Sequence, residues 1–483
     1  MTPRWTSLAD ILLPAVLLLA LLVAQLPADP APGVTFSNSP FTDEAWNVMG
    51  ARNWILLGDW SAGDWALHLV QLPFNALEAV GFAMLGVGIV QARLVAALCS
   101  VAAVAVTTVI VRRRLGTEAG LIAGLGLAGA GLVLYYGRLA YVETLVMFAL
   151  VAGVAALCWR PSGGAGWSAA VAGGLLAVAI GTKPSALFAV VGILVGVALA
   201  TRRGTWVRRT MLATGMVALA AVGWVVLIAL PNAEPVGWVL DIWTSQAPPR
   251  GLAELLRRIA DYPATSDGVL LMSLPLVIGG VGGLVAAIAR WRTLDEGQRA
   301  LAGAAIGWFL VGLGVLLIAS YRPNRYSMPM LPALAILTAY LVPAVRAGLQ
   351  RLGARRLALP LMGTAVTVLL LPGLVMYGGW ASAATSRAPG IQAQMAAAID
   401  DRPVEGGLAP LFAMRAPVPI HVRWSTSEVN RGDLYADAGV RWLVMADAYR
   451  PSWVDLHPEA WEGRTPVLCF AWGRGTHCLV HLP

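Results

Sequence analysis

The chain has 483 residues, 58% of them hydrophobic and only 12% charged, with a mean hydropathy of +0.71. That excludes an ordinary soluble globular protein. The formal net charge of +8 does not point to a nucleic-acid partner, because the arginines gather between apolar runs in the positive-inside pattern of a membrane protein.

Apolar runs lie near residues 8–26, 88–111, 117–135, 142–159, 167–182, 185–201, 211–230, 269–289, 300–319, 328–345 and 357–378. They read as about eleven transmembrane helices, since lipid leaves backbone groups no other partners. After the first run comes an outer loop at about 27–85, with Pro27, Pro30, Pro32, Pro40 and the tryptophans Trp46, Trp54, Trp60 and Trp65. Tryptophan prefers the membrane–water interface, so short helices lying on the outer surface are expected there. Inside loops are marked by Arg112 to Arg114, Arg160, Arg202 with Arg203, Arg290 with Arg292, and Arg346 to Arg356. The N-terminus is then cytoplasmic in a multi-pass protein of the cell membrane, and membrane lipids are its surroundings. In a second outer loop, about 231–266, Leu252, Leu255, Leu256 and Ile259 fall on one helical face, which predicts a surface-lying amphipathic helix.

The composition divides the chain into a membrane domain, 1–378, and a polar extracytoplasmic remainder, 379–483. In the latter, Val440 with Trp442 to Met445, and Val467 to Phe470, read as strands, and 389–400 as a helix. A small α/β domain follows. Cys469 and Cys478 are placed to close a hairpin by a disulfide in an oxidising compartment. Cys99 and Cys158, inside apolar runs, read as packing residues.

Two adjacent carboxylates, Asp43 and Glu44, stand just after the first span. The plain structural reading is that Thr42 caps a helix and the two acids fill its first turn, where the dipole favours them. Gly124, Gly126 and Gly129 spell a G-x-G-x-x-G, but inside a span with no preceding strand. Close helix approach explains it better than a dinucleotide.

More telling are the ionisable residues expected on the outer side near the membrane: Asp43, Glu44, Arg52, Arg138, Glu143, Lys183, Arg322 and Arg325. Each costs about 2.5–3.5 kcal/mol or more in lipid, so each must pair, snorkel or face a wet cavity. Lys183 stands out as the one lysine among 34 basic residues, between Thr182 and Pro184 at a helix break. His68 and Tyr326 join as lesser candidates, His68 against a reading as interfacial packing. Arginine and lysine at short turns hold a phosphate, and a nearby carboxylate takes a proton from a hydroxyl or holds a divalent cation. Outside the cytoplasm a sugar donor has to arrive on a lipid.

Four stretches, covering roughly residues 8–345, resemble the GT-C glycosyltransferases of the protein O-mannosyltransferase and aminoarabinose-transferase group (glycosyltransferase family 39/83-like). They are Phe41-Thr42-Asp43-Glu44-Ala45, Gly137-Arg138-Leu139-Ala140-Tyr141-Val142-Glu143, Gly181-Thr182-Lys183-Pro184 and Arg325-Tyr326-Ser327-Met328-Pro329-Met330-Leu331-Pro332. The resemblance implies a polyprenyl-phosphate sugar donor and inverting transfer on the outer face. Asp43 would be the base or metal-holding carboxylate and Glu44 its companion. Arg138, Lys183 and Arg325 would be candidates for the donor phosphate; Arg52, His68, Glu143, Arg322 and Tyr326 are substrate-site candidates from their expected place on the outer side. The position matched by Glu143 is often aspartate in that group, and nothing in residues 379–483 names the acceptor, which is a lipid, a glycan or a protein. The rival readings are a transporter or flippase of a lipid-linked saccharide and a non-catalytic envelope assembly protein. The flippase predicts polar residues deep within the spans and an internal repeat, and neither is seen; the ionisable groups cluster at one side.

Overall fold

The computed structural model describes residues 4–30, 43–63, 66–159, 165–201, 204–244, 249–261, 273–319, 323–422, 439–446, 464–473 and 475–482. The chain divides into two compact units. One holds Met1–Ala24, Ala96–Arg138 and Val142–Gly379; the other holds Gln25–Val95, Leu139–Tyr141 and Trp380–Pro483.

The first unit is helical. Five helices of the described chain are long and apolar enough to cross a membrane: Ile89–Leu115, Gly204–Ala229, Glu296–Ile318, Asn324–Arg351 and Ala358–Ala383. Shorter apolar helices include Thr117–Ala128, Val142–Cys158, Gly166–Thr182, Ala186–Ala200 and Leu274–Ala289. The run expected as one span over 117–135 is broken. Ala130 is extended between Gly129 and the short helix Gly131–Tyr136. A Cβ at Gly129 would meet the Leu370 backbone at 2.9 Å, and one at Gly124 would meet Pro14 at 3.0 Å. Small residues there let helices approach, as the pattern suggested.

One helix end in this unit is satisfied by two arginines, Arg114 from the 112–114 triplet and Arg209. The helix Val142–Cys158 leaves carbonyls without intrahelical partners. Arg209 donates to the Ala156 carbonyl at 3.2 Å, and Arg114 donates to that of Cys158. Positive charge at a helix C-terminus also opposes its dipole. At the other kind of end, Asp295 and Gln298 form a reciprocal capping box that starts Glu296–Ile318. The helix Leu252–Asp261 is present with Leu252 and Leu256 exposed.

The second unit carries a five-stranded mixed sheet of β1 Val404–Glu405, β2 Ile420–His421, β3 Trp442–Ala446, β4 Pro466–Trp472 and β5 Gly475–His481. Its order is β2-β1-β3-β5-β4, with β1 parallel to β2 and β3 and with β5 antiparallel to β3 and β4. Cys469 and Cys478 face each other across β4 and β5 and are joined by a disulfide. Against the sheet, Phe412 meets the rings of Phe470 and Trp472 edge-on at 4.6 and 5.1 Å.

The stretch expected as the first outer loop shares this unit. It contributes the helices Met49–Leu57 and Leu72–Leu85 and two single turns, Glu44–Asn47 and Leu67–Val70. At 14 residues the longest is ~21 Å, short of the ~30 Å hydrocarbon thickness. Asp29 fastens the loop to the C-terminal residues. Its carboxylate accepts from the Thr385 hydroxyl at 2.6 Å and from the Arg387 and Ala388 N–H groups at 2.9 and 3.1 Å, capping the helix Ala388–Ala398 from far along the chain.

Candidate functional site

In the helical unit, three separate stretches bring one acid, two bases and one aromatic ring together. Glu143 opens the helix Val142–Cys158 and is buried. Pro184 lacks an N–H and disfavours helix at the residue before it, so the chain breaks at Lys183 between Ala165–Thr182 and Ala186–Ala200. Arg325 and Tyr326 lie on the 3₁₀ segment Asn324–Met330. Lys183 Nζ donates to Glu143 Oε1 at 2.6 Å, and Arg325 Nε stands 3.7 Å from the same oxygen. The Lys183 ammonium also lies over the Tyr326 ring, 3.3 Å from its centroid, with the Arg325 guanidinium at 5.4 Å. Side-chain exposure is 14% for Lys183 and 11% for Arg325, so both cations are largely dry. Two cations thus meet one carboxylate oxygen in this group. Glu143 Oε2 has no hydrogen-bond partner among the described residues. Arg138 is buried in the same unit, in the turn before Leu139. Arg322 lies outside the described residues.

In the second unit, Asp43 and Glu44 are adjacent and differently placed. Asp43 occupies the N-cap position of the turn Glu44–Asn47, is half-buried, and makes no side-chain cap hydrogen bond. The expected cap, Thr42, lies outside the described residues. Glu44 is fully buried in a forked pair with Arg93: Nε donates to Oε2 at 2.9 Å and Nη2 to Oε1 at 2.6 Å. The Ala140 N–H adds a third bond to Oε2 at 3.3 Å, and Arg93 Nη1 donates to the Leu26 and Ala28 carbonyls. The turn is held elsewhere too. Asn75 Nδ2 donates to Asn47 O at 3.0 Å, Asn47 Nδ2 to Ala140 O at 3.4 Å, and the Trp46 indole to Gly407 O at 3.0 Å. Glu44 is therefore committed to fixing the turn on which Asp43 stands.

Arg52 and His68 are held in the same way. Arg52 donates to Met414 O at 3.1 Å, to Asn53 Oδ1 at 2.7 Å and to Ala416 O. Burial pulls its guanidinium down to about 9, which leaves it charged at neutral pH. His68 is buried beside Trp60, whose ring stacks at 5.5 Å on the half-exposed Trp54, and its Nε2 lies 3.5 Å from Ser61 Oγ. Arg93 is the residue that sequence reasoning missed. A charge five positions into an apolar run requires a named partner, and that signal was present. No group of three His, Cys, Asp or Glu side chains stands together among the described residues. With Glu44 taken up by Arg93, Asp43 brings one carboxylate to a cation.

Residues 73–228 match the family described as dolichyl-phosphate-mannose-protein mannosyltransferase. No curated protein matches the chain in sequence. Among solved structures, ArnT from Cupriavidus metallidurans in the apo state is similar at 17% identity and a TM-score of 0.70, covering 99% of this chain and 98% of that one. The same protein bound to undecaprenyl phosphate gives 17% identity and a TM-score of 0.69 over 100% and 98%. The oligosaccharyltransferase AglB from Archaeoglobus fulgidus, with an inhibitory peptide and a dolichol-phosphate, gives 10% and 0.54 over 91% of this chain and 69% of that one. The chain has the ArnT-like GT-C fold, which bears out the resemblance read from its motifs.

Proposed function

We propose that the chain is a membrane glycosyltransferase that moves a sugar from a polyprenyl-phosphate donor to an acceptor hydroxyl on the extracytoplasmic face, with inversion. The observation that carries the reading is the Glu143–Lys183–Arg325–Tyr326 group, a dry cluster that holds two cations at one carboxylate. The family match and the likeness to an undecaprenyl-phosphate-bound structure support a lipid-phosphate donor. A sugar phosphodiester carries one negative charge and the departing lipid phosphate carries two. Fixed cations that gain as that charge develops lower the barrier to C–O cleavage. Lys183 acts as a point charge and Arg325 as a two-pronged donor, with Glu143 holding both in place before the donor binds.

Asp43 is assigned the acceptor proton. The hydroxyl oxygen attacks the anomeric carbon opposite the leaving phosphate while Asp43 takes its hydrogen. Glu44 is assigned to fixing that turn, and Arg52 and His68 to the packing around it. Arg138 remains a candidate for the donor phosphate and Arg322 for the substrate site. Among the described residues no group of three His, Cys, Asp or Glu side chains includes Asp43, and no step is routed through a metal. The chain is placed in the cell membrane with about eleven spans, its N-terminus cytoplasmic and residues 379–483 outside.

The test uses membranes containing the full chain and a panel of radiolabelled polyprenyl-phosphate sugars. The wild type is expected to transfer label. Asp43→Asn should lower transfer by about 10²–10⁴-fold while still binding donor, and Lys183→Ala should weaken donor binding itself. No turnover of any donor, with lipid binding unchanged in Asp43→Asn, would overturn the assignment and put the transporter first.

A further inference from the structure

The helical stretch from Leu67 to Leu85 carries four buried polar side chains: His68, Gln71, Asn75 and Glu78. Asn75 and Glu78, three apart on the helix Leu72–Leu85, share one face, while Gln71 joins that helix to the turn that carries His68. That face meets the helix Met49–Leu57 and the turn Glu44–Asn47. Asn75 accepts from the Ala51 N–H at 3.1 Å and donates to Asn47 O at 3.0 Å, and a side chain at Gly50 would run into His68. Asn75 is satisfied by these bonds. Glu78, three residues on, is not. It is fully buried, and neither carboxyl oxygen has a hydrogen-bond partner among the described residues.

The ionisable groups carried by the elements around Glu78 are Asp43, Glu44, Arg52, His68 and Arg93. Arg52 is bonded to the Met414 and Ala416 carbonyls and to Asn53. Arg93 spends four of its five N–H groups on Glu44 and the Leu26 and Ala28 carbonyls, and its one charge is matched by Glu44. An ionised Glu78 would put a second carboxylate beside Glu44, whose charge already takes up that of Arg93, while the donors of Arg52 are directed to the Met414 and Ala416 carbonyls and to Asn53. The dry surroundings, and then the Glu44 charge, push the Glu78 carboxyl well above the usual carboxylate range.

We propose that Glu78 is a positioning residue that works as the neutral acid, leaving the Glu44–Arg93 fork undisturbed beneath Asp43, and that its ionisation loosens the fork and the Asp43 turn. The link to transfer rests on the function proposed above; the protonation state does not. A native state that holds a proton which the unfolded chain has released loses stability as pH rises, from the ordinary carboxylate range up to the raised native value. That loss is up to about tenfold in the folding equilibrium per pH unit. Glutamine has the same shape and no such proton.

The experiment compares the wild type with Glu78→Gln as purified full chain in detergent. Thermal unfolding across pH is read first. The variant's midpoint is expected to exceed the wild type's by a margin that widens with pH from mildly acidic to alkaline. Parallel curves would overturn the neutral acid. Transfer is read second, as a pH profile. The wild type is expected to lose activity on the alkaline side where Glu78→Gln keeps it. An unchanged alkaline limb would overturn the positioning role. Loss of activity at every pH in a folded Glu78→Gln would also overturn it, since the proton itself would then be required. A wild type that transfers no sugar sinks the proposed function alone, and the unfolding comparison still decides Glu78.

Discussion

Asp43 and Glu44 are neighbours in sequence with opposite circumstances. One is half-buried on a turn; the other is sealed against Arg93, 49 residues further on. Removing Arg93 would leave an uncompensated buried carboxylate, which typically costs about 3–5 kcal/mol. Arg93→Ala is therefore expected to lower the thermal unfolding midpoint sharply, and the Arg93→Ala/Glu44→Gln double variant to recover part of the loss. Additive losses in that cycle would show that the pair is not coupled. Lys183, Glu143, Arg325 and Tyr326 were all legible as candidates, because a charge at a break in an apolar run has few structural excuses. Their meeting at one carboxylate oxygen was not legible, because it joins residues 143, 183 and 325. Arg52 was legible only as a cation. That its donors end on the carbonyls of residues 414 and 416 depends on packing that no local pattern encodes.

Among elements, the helices Ala186–Ala200 and Glu296–Ile318 pack through paired glycines. A Cβ at Gly196 would strike the Gly303 carbonyl and one at Gly303 the Gly196 carbonyl, and Gly192 and Gly307 repeat the arrangement one turn away. Both helices carry glycines four residues apart, the small-xxx-small spacing that lets backbones approach in a membrane. Gly196→Val has no flexible side chain to push aside and should cost about 1–3 kcal/mol or more. Gly174→Val, on the helix Ala165–Thr182 with open space around its Cβ position, should be close to neutral. Equal midpoints for the two variants would refute the crossing. Helix existence was readable from apolar length, and most boundaries fell close to those expected. The break at Ala130 was not readable, because it arises where Gly129 packs against the Leu370 backbone.

For the whole molecule, the proposed outside placement of residues 379–483, with the bridged Cys469–Cys478 pair, makes a labelling experiment decisive. Cys99 and Cys158 are buried and serve as silent internal controls. A membrane-impermeant maleimide is expected to label intact cells only after reduction, and Cys469→Ser/Cys478→Ser should abolish that signal. Labelling from the cytoplasmic side without reduction would invert the topology. Composition and apolar run length by themselves determined a polytopic helical membrane protein with a small sheet domain at its end, because the bilayer admits few solutions and each is written locally in about twenty residues. The tertiary structure alone decided that residues 25–95 share a unit with 380–483, that Asp29 caps a helix beginning at Ala388, and that Glu44 belongs to Arg93. Those are pairings of single polar groups across long separations. Their energy comes from desolvation and mutual geometry in the folded interior, and neither exists until the chain has closed around them.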